Sequence, residues 1–529
     1  MKRFLTFEEL KSNKYEVIEA MQERKFRAFI RYQVYPNHPF YRRLFKDKNI
    51  DPFKLEKPTD WAKYGLPLIR KADYKGNLRE FVLNPQQVDG QDREPAEVVG
   101  NLLKYYKEAG YKTDRKFVFN RGLKVKVGIG RNQATQELLD HIKHQYSPRF
   151  FWFSSGRASG LPSPVFLTHY DNELMLNNMA KSGKMAIDPF VKDGFELRAM
   201  NLFPSAPHLG FFGVDGGLLQ MADFIVRSTA GGAISTDKLV QLAELFKVTG
   251  FAAMPGYLRN IFCRELLKHN PKLEKRGIIL LAGERIYDAV IDDIKDDFAK
   301  VGMTESRVIG GWAASETKIG VACQCSEKGG YHNLSPLAFA IRFVKFTDDE
   351  GNYEFTSPEE GGYITIFHVD GRASMFEGYL MGDHVDKVTL DKCPHCGLEM
   401  PCFYNISRES EIGAQLQVMG IAEEKIKGAT VNLTALRESL LAMNDVYEAQ
   451  IVVSKSNPED PYSMDVLSLN IVLNAGADQT QNQRAIKKLT KTETEISPVI
   501  HFMELEALLE QAGGLKFQEI VDSRVKPAK

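Results

Sequence analysis

The sequence lacks a net charge, because its 529 residues contain 69 Lys and Arg against 69 Asp and Glu. This balance removes the usual electrostatic argument for nucleic acid or an anionic membrane as the main partner. Cysteine is scarce, with six residues, and a chain of this length can bury a large core without disulfides. The composition, with 43% hydrophobic and 26% charged residues, is typical of a globular protein.

The sequence also lacks a long hydrophobic run. The apolar stretch at 277–283 is far shorter than the roughly 20 residues that a membrane-spanning helix needs. The first residues, MKRFLTFEE, become charged too early for a secretory signal. We therefore expect a cytoplasmic protein with no membrane partner, and the length favours more than one domain.

Short apolar runs alternate with helical patterns between residues 151 and 366. This alternation predicts an α/β layered domain. The first 35 residues predict a helix over 7–35. Residues 76–150 are polar and harder to assign, and their Gly-x-Gly fragment at 128–130 lacks the third glycine and the later acid of a dinucleotide-binding loop.

The pattern changes after Cys402. Alternating apolar residues predict strands at 447–455 and 465–474, and helical spacing predicts a helix at 481–496. These elements form a compact α+β unit of domain size, with a boundary near residues 406–410.

A loop rich in glycine and hydroxyl side chains follows the apolar run at 151–153. Glycine lets the backbone approach a ligand, and N–H and hydroxyl groups can donate to phosphate oxygens. No Gly-Lys-Ser/Thr follows, so the loop is not a Walker motif. An ordinary surface turn explains the same composition. The candidate phosphate ligands are Ser154, Ser155, Gly156, Ser159 and Gly160.

Two acids, Glu284 and Glu316, lie at the ends of predicted strands, and a third, Asp383, ends the stretch 377–383. Ligands of α/β sheets collect at strand ends, where a carboxylate can hold Mg²⁺ beside phosphates or accept hydrogen bonds from a ribose. Helix caps and solvated loops are the alternative explanation for each acid.

Taken in order, these stretches resemble the adenylate-forming enzymes, in their phenylacetate–CoA ligase branch. The resemblance covers most of the chain and rests on these segments: YPNHPFYRRLF, LPLIRKADYK, SSGRASGLPS, GWAASE, CSEKGGYH, GYLMGD and GLKFQEIVDSR. It implies a large N-terminal layered α/β domain, residues 1–406, with 76–150 as a divergent segment. A small mobile C-terminal α+β domain, residues 407–529, follows.

The resemblance also implies roles for single residues. The loop at 154–160 would cradle the phosphates of ATP, Trp312 would stack on adenine, Asp383 would hold the ribose and Glu316 would bind Mg²⁺. Lys516, six residues before Asp522, would neutralise charge during adenylation; a solvated tail lysine is the alternative. Further implied ATP-binding residues are Glu284, Ala313, Ser315 and Arg408. An acyl pocket would include His208, Phe211, Phe212 and Tyr257, which ordinary core packing explains equally well.

Several positions depart from the family pattern. Arg157 is an extra residue in the phosphate loop, Ala313 replaces a glycine, and Gly378 and Leu380 replace arginines. The hinge reads SRESE at 407–411, and the Lys-Gly that normally follows comes late, at 427–428.

Cysteine and histidine spacing suggests a metal site. Cys393 and Cys396 form a Cys-x-x-Cys turn, while Cys325 and His332 supply two further ligands from one loop. Tetrahedral Zn²⁺ needs four such N/S ligands, and a closed site of this kind is structural. Reduced cysteines or a redox pair are the alternatives. Cys323, His395 and Cys402 are spare ligands.

The sequence supports three hypotheses. The first is ATP-dependent activation of an aryl or other small carboxylic acid, followed by transfer to coenzyme A. The second keeps adenylation but transfers the acyl group to a carrier-protein thiol or an amine. The third is a nucleotide-binding relative without turnover. All three take small-molecule partners and no nucleic acid, and a homodimer is one candidate assembly.

Overall fold

The computed structural model describes most of the chain. The described residues are 4–75, 77–88, 90–153, 164–191, 194–205, 209–227, 234–283, 286, 288–348, 351–407, 424–426, 429–431, 433–460, 462–494, 496–505, 507–508 and 520–524. No described helix is both long and apolar enough to cross a membrane.

The helices, numbered in chain order, are α1 (Phe7–Lys11), α2 (Tyr15–Phe29), α3 (Tyr35–Asn37), α4 (Pro39–Asp47), α5 (Asp60–Lys63), α6 (Lys71–Lys75), α7 (Pro95–Ala109), α8 (Lys112–Val127), α9 (Arg131–Tyr146), α10 (His169–Val191), α11 (Leu209–Met221), α12 (Thr236–Leu245), α13 (Pro255–Tyr257), α14 (Cys263–His269), α15 (Asp288–Lys300), α16 (Leu433–Leu441) and α17 (Gln479–Thr494). Two π-helical segments continue α2 and α13, at Ile30–Val34 and Leu258–Phe262. Short 3-10 helices lie at Pro52–Lys54, Leu78–Phe81, Ser315–Thr317 and Pro358–Glu360.

The strands are β1 (Gln87–Val88), β2 (Gln91–Asp92), β3 (Phe150–Phe153), β4 (Pro164–Leu167), β5 (Arg198–Asn201), β6 (Phe224–Val226), β7 (Gly250–Ala253), β8 (Arg276–Ala282), β9 (Glu305–Ala313), β10 (Gly320–Gln324), β11 (Tyr331–His332), β12 (Phe339–Phe346), β13 (Tyr353–Phe355), β14 (Gly362–His368), β15 (Glu377–Thr389), β16 (Cys402–Ser407), β17 (Glu424–Ile426), β18 (Ala429–Val431), β19 (Val446–Lys455), β20 (Asp465–Leu473), β21 (Val499–Phe502) and β22 (Ile520–Asp522).

One mixed sheet organises the larger part of the molecule. Among the described residues it has twelve strands, in the order β13-β12-β14-β15-β16-β11-β10-β9-β8-β7-β5-β6. Strands β5–β9 pair in parallel, and β9–β16 pair antiparallel. Parallel strands need long crossovers, and the helices between β5 and β9 supply them. The parallel half therefore resembles a doubly wound sheet, and the antiparallel half extends it.

Both faces of the parallel half are covered by helices. Phe251 and Ile279 lie in a cluster with residues of α12, α14 and α15. Their neighbours Ala252 and Ile278 lie in a second cluster with residues of α10 and α11. Adjacent strand residues point to opposite faces, so the two clusters are the two sides of one sheet. The predicted α/β layered architecture is confirmed.

A second, smaller sheet is formed near the C-terminus. Among the described residues its order is β21-β20-β19-β22, and β19 pairs antiparallel with β20. Leu436, Ile451, Leu469 and Ile486 belong to a separate hydrophobic cluster that joins α16 and α17 to this sheet. The predicted strands at 447–455 and 465–474 and the helix at 481–496 are confirmed within a few residues. The boundary at 406–410 stays a prediction.

Two stretches differ from the sequence-based prediction. The helix predicted over 7–35 is interrupted, because α1 ends at Lys11 and α2 begins at Tyr15. Most of residues 76–150 forms the three helices α7–α9, which pack in succession. The Gly-x-Gly fragment at 128–130 is the turn between α8 and α9, with positive φ at both glycines. It joins two helices, so it lacks the strand–turn–helix context of a dinucleotide loop.

A buried ionic network joins these helices to the sheet. Asp370 follows β14 and is almost completely buried. Its carboxylate lies 3.0 Å from Lys25 Nζ on α2 and 3.3 Å from Arg372 Nη1. The Asp370 carboxylate also accepts hydrogen bonds from three tyrosine hydroxyls: those of Tyr105 on α7, Tyr111 between α7 and α8, and Tyr170 on α10. Burial alone would raise the pKa of Asp370, but Lys25 and Arg372 lower it overall.

Replacing Asp370 by Asn would leave Lys25 and Arg372 buried without a counter-charge. We expect Asp370→Asn to lower the free energy of unfolding of the part that contains the twelve-stranded sheet by about 3–5 kcal/mol, measured by thermal or urea denaturation. Because the pKa of Asp370 is depressed in the folded chain, its contribution is complete above about pH 4 and is lost as the pH falls through the lowered pKa.

Glu354→Gln is the matched control for this substitution. Glu354 Oε1 lies 2.8 Å from Lys345 Nζ, but more than half of each side chain is exposed. An exposed pair contributes little, so the control should unfold like the wild type. Equal effects of the two substitutions would contradict the role of burial.

Candidate functional site

The candidate site begins where β9 ends. The 3-10 helix Ser315–Thr317 follows the strand directly and carries Glu316, of which only 6% is exposed. Lys318 then turns the chain back with a φ of 62°, which is rare for a residue other than glycine. The carboxylate is therefore buried at the end of a parallel strand, the predicted position, and its ligand-binding role stays a prediction.

A tyrosine that the sequence did not single out fixes this carboxylate. Tyr74 on α6 donates a hydrogen bond of 2.6 Å to Glu316 Oε1. Its ring packs on Phe376 with a centroid distance of 4.7 Å. The preceding backbone pairs with β15, since Ile69 donates to the carbonyl of Gly378 and accepts from the amide of Leu380. One segment thus links Glu316 to the start of β15.

Lys318 anchors the other side of the same turn. Its ammonium lies 3.2 Å from Asp171 Oδ1 on α10 and also donates to the backbone carbonyl of Arg372. Asp171 in turn accepts a 2.7 Å hydrogen bond from the amide of Arg372. Burial lowers the pKa of Lys318, while Asp171 raises it. The turn of Glu316 is therefore connected to the network around Asp370.

Asp383 lies in β15, which pairs with β14 and β16. It is half-buried, and Gly382 before it has a φ of 78°. A positive φ at this position bends the strand just before the candidate ribose ligand.

The two departures beside Asp383 have structural causes. Gly378 has a φ of 66°, and a Cβ there would lie 2.8 Å from Nε1 of Trp61. Leu380 is buried in a small apolar cluster with Leu68 and Val344. A side chain as long as arginine is excluded from the first position by contact with Trp61 and disfavoured at the second by burial.

Two buried titratable residues near β15 were not identified by the sequence analysis. Glu377 opens β15 and is fully buried, and within the described part of the chain both its carboxyl oxygens lack a hydrogen-bond partner. Burial raises the pKa of Glu377 well above its usual range, although the backbone of His368 acts in the opposite direction, so the neutral form of the acid is favoured. His368 ends β14, and burial lowers its pKa to about 3. Neither position carries a sequence signal beyond its proximity to the 378–383 motif.

The remaining predicted nucleotide residues divide into two groups. Trp312 and Ala313 end β9, where Trp312 packs against the main core and Ala313 is exposed, and Ser315 begins the turn of Glu316. The others lie outside the described residues: Ser154, Ser155, Gly156, Arg157, Ser159, Gly160, Glu284, Arg408 and Lys516. For the phosphate loop, the flanking strands β3 and β4 are described and pair antiparallel, with Phe153 opposite Pro164.

The predicted acyl-pocket residues lie on different sides of the sheet. Phe211 and Phe212 begin α11 and contact each other edge to face at 5.3 Å, and Phe211 packs on the cluster that contains Ala252. Tyr257 packs on the opposite cluster, and its hydroxyl lies 3.2 Å from Thr236 Oγ1. His208 lies outside the described residues. The pocket stays a prediction.

The four predicted zinc ligands lie together. Cys325 follows β10, His332 ends β11, and Cys393 and Cys396 lie between β15 and β16; their ligand atoms are all within 4.8 Å of one another. Cys325 Sγ lies 3.5 Å from Cys393 Sγ, and Cys396 Sγ lies 3.6 Å from His332 Nε2. A tetrahedral zinc ion with bonds of about 2.3 Å separates sulfur ligands by about 3.7 Å, so the arrangement fits zinc.

The spare ligands fall outside this cluster. Cys402 pairs with His332 across β11 and β16, as does Cys323 across β10 and β11. Within the described residues, neither they nor His395 belong to a group of ligand atoms close enough to share a metal ion. Burial raises the pKa of the Cys393 thiol, but hydrogen bonds from His332 and from the amides of Cys396 and His395 lower it overall, which favours the thiolate.

Comparison with known proteins gives a match in structure alone. No protein-family model and no curated protein sequence matches the chain. Among solved structures, 2-hydroxyisobutyryl-CoA ligase with 2-HIB-AMP and CoA in the thioesterification state aligns with a TM-score of 0.67 at 15% identity, over 96% of this chain and 90% of that chain.

Two further structures of that ligase align less closely. An open conformation gives a TM-score of 0.51 at 14% identity, over 95% of this chain and 90% of that one. The postadenylation state gives 0.51 at 14% identity, over 98% and 93%. The chain therefore has the fold of 2-hydroxyisobutyryl-CoA ligase over nearly its whole length, which is the fold that its resemblance to the adenylate-forming enzymes implies.

Proposed function

We propose that this chain activates a carboxylic acid with ATP and then forms a thioester with coenzyme A. One observation carries the proposal: a buried carboxylate, Glu316, is held by Tyr74 at the sheet edge where the resemblance expects the Mg²⁺ ligand. The fold supports it, since the neighbouring ligase was solved in complex with 2-HIB-AMP and CoA. The acid is an aryl or other small carboxylic acid.

In the first step a carboxylate oxygen attacks the α-phosphorus of ATP. The bond between the α-phosphorus and its bridging oxygen breaks, and pyrophosphate leaves. The protein's task is to position these groups and to neutralise charge. Residues 154–160 would hold the phosphates, Asp383 the ribose and Trp312 the adenine, with Glu284, Ala313, Ser315 and Arg408 completing the nucleotide site.

Glu316 is suited to Mg²⁺ because this ion is bound in proteins by one or two carboxylates together with substrate phosphates. The ion would neutralise phosphate charge. Lys516 would approach the α-phosphate and the acyl carboxylate, where it neutralises the developing charge.

In the second step the thiolate of coenzyme A attacks the acyl carbonyl, and AMP leaves with the electrons of the broken acyl–phosphate bond. This step requires Lys516 to withdraw, by rotation of residues 407–529 about the hinge at 407–411. Motions of this kind complete one arrangement of catalytic groups and remove another. The chain aligns with a TM-score of 0.67 to the thioesterification state of the neighbouring ligase and of 0.51 to its open and postadenylation states, which supports a movable arrangement in this fold.

We further propose that Cys325, His332, Cys393 and Cys396 hold one structural zinc ion. All four positions are protein ligands, so the site is closed to substrate. It would fasten the turn after β10 and the end of β11 to the loop between β15 and β16. These strands lie next to the segments that carry Glu316 and Asp383, so the ion would stabilise both sides of the nucleotide site.

ATP–pyrophosphate exchange over a panel of carboxylic acids tests the function. We expect exchange with at least one acid and thioester formation from coenzyme A. Glu316→Gln should lower exchange roughly 100- to 1000-fold, because a preorganised charge is lost. The matched control is Glu305→Gln at the start of the same strand, where Glu305 pairs with Lys275 and Arg276 at the surface.

The other outcomes separate the alternatives. Nucleotide binding without exchange on any acid would contradict the function and indicate a relative without turnover. Exchange without a thioester would retain adenylation but replace coenzyme A with a carrier-protein thiol or an amine as acceptor.

Lys516→Ala separates the two steps. We expect adenylation to fall roughly 100-fold, since a charge that acts only in that transition state is removed. Thioester formation from added acyl-adenylate should be unchanged. Lys488→Ala, at an exposed position of α17, is the control. Full adenylation by Lys516→Ala would remove the catalytic role of this lysine.

For zinc, elemental analysis of purified protein should find about one ion per chain. Cys393→Ser should lose the ion and lower the thermal midpoint. Cys263→Ser, which changes a buried thiol on α14, should keep it. A wild-type protein that contains no zinc and takes up none from solution would be decisive against the site.

A further inference from the structure

Helix α8 exposes large apolar side chains in a regular row. Phe119 is 53% exposed, Leu123 49% and Val127 56%. Residues four apart lie on the same side of a helix, so these three form one stripe. Ile129, in the turn after the helix, is 69% exposed and extends it. A contiguous row of exposed apolar side chains marks an interaction site more often than single apolar residues scattered over the surface do.

The same segment concentrates positive charge. Residues 112–131 contain seven Lys and Arg and one Asp, a local net charge of +6, although the whole chain is neutral. At about 100° per residue, Lys112, Lys116 and Lys126 lie within about 60° of Leu123 around the helix axis. All three lysines are exposed. Apolar and basic side chains therefore share one face.

The opposite side of α8 is packed against the protein. Val118 is fully buried, Phe117 and Val125 pack against the main core, and Arg121 pairs with Glu137 of α9 at 2.6 Å. This packing fixes which side of α8 faces outward. We call the outward residues Lys112, Lys116, Phe119, Leu123, Lys126 and Val127 the α8 face.

We propose that the α8 face docks on an anionic membrane surface. On a single convex helix, Phe119, Leu123 and Val127 can enter the boundary between headgroups and acyl chains. The lysines reach outward to lipid phosphates while their methylene stems stay near the apolar stripe. Each contributes through the negative surface potential of the membrane.

The composition of the face favours lipid over a protein partner. Lysine is depleted in the centres of protein–protein interfaces, yet three lysines are interleaved with the apolar stripe here. The docking is independent of the proposed ligase activity. It is also compatible with the zero net charge of the whole chain, because only charges within about a Debye length of the membrane surface, here those of the α8 face, interact strongly with it.

Co-sedimentation with lipid vesicles tests the proposal. The full chain should bind vesicles that contain phosphatidylglycerol, bind phosphatidylcholine vesicles far more weakly, and be released by salt. K112Q/K116Q/K126Q should weaken binding about five-fold per lysine, or roughly 100-fold in total. The matched control K487Q/K488Q/K491Q removes three exposed lysines of α17 and should bind like the wild type.

The apolar stripe is tested separately. F119S/L123S should weaken binding to the same vesicles, whereas L245S/L267S, at exposed positions of α12 and α14, should not. Circular dichroism shows whether each variant is folded. Equal binding to both vesicle types, or unchanged binding by the α8 variants, would overturn the proposal. Binding to an immobilised acidic polypeptide but not to vesicles would also overturn it, in favour of an acidic protein.

Discussion

One buried negative charge, Asp370, connects elements from distant parts of the chain in the larger part of this molecule. Asp370 is reached by Lys25 from α2, by Arg372 from its own loop and by tyrosines from the three-helix segment and α10. A buried ion must be compensated on every side, which restricts the placement of each partner. Lys318 extends this restriction to the turn of Glu316. The position of the candidate metal ligand thus depends on charged residues that are not themselves in the proposed nucleotide site.

The sheet supplies the second constraint. Glu316 follows β9, the zinc ligands lie at the ends of β10 and β11 and beyond β15, and Asp383 lies in β15 itself. In the sheet order, β10, β11 and β16 separate β9 from β15. The turn of Glu316 nevertheless lies near the start of β15, because the ring of Tyr74, which bonds to Glu316, lies 4.7 Å from the ring of Phe376 and 6.4 Å from that of Tyr379. The backbone of residues 66–75 shortens the connection, since it pairs with β15 and carries Tyr74 to Glu316.

Much of this arrangement can be predicted from the sequence. The features that cannot be predicted have identifiable physical reasons. The alternation of apolar runs and helical patterns predicts the layered sheet, and Cys-x-x-Cys spacing predicts ligands that the fold brings together. Tyr74 and Lys318 act through contacts more than 100 residues away in the chain, which no local pattern encodes. Helix α8 has a single fully buried position, Val118, so its sequence shows little helical periodicity. From sequence, Gly378 is a departure from the arginine of the family pattern, and the contact with Trp61 that excludes a side chain there is visible only in the structure.

The sequence separations within the Asp370 network have a consequence for synthesis of the chain. Lys25 and Asp370 are 345 residues apart, and Tyr111 and Asp370 are 259 apart. At about 5–20 residues per second, Lys25 leaves the ribosome roughly 20–70 seconds before its counter-charge exists. Until then the N-terminal helices have a cation and several tyrosine hydroxyls to bury without the acceptor that satisfies them. We therefore expect the N-terminal helices to complete their docking only after β14 and Asp370 have been synthesised.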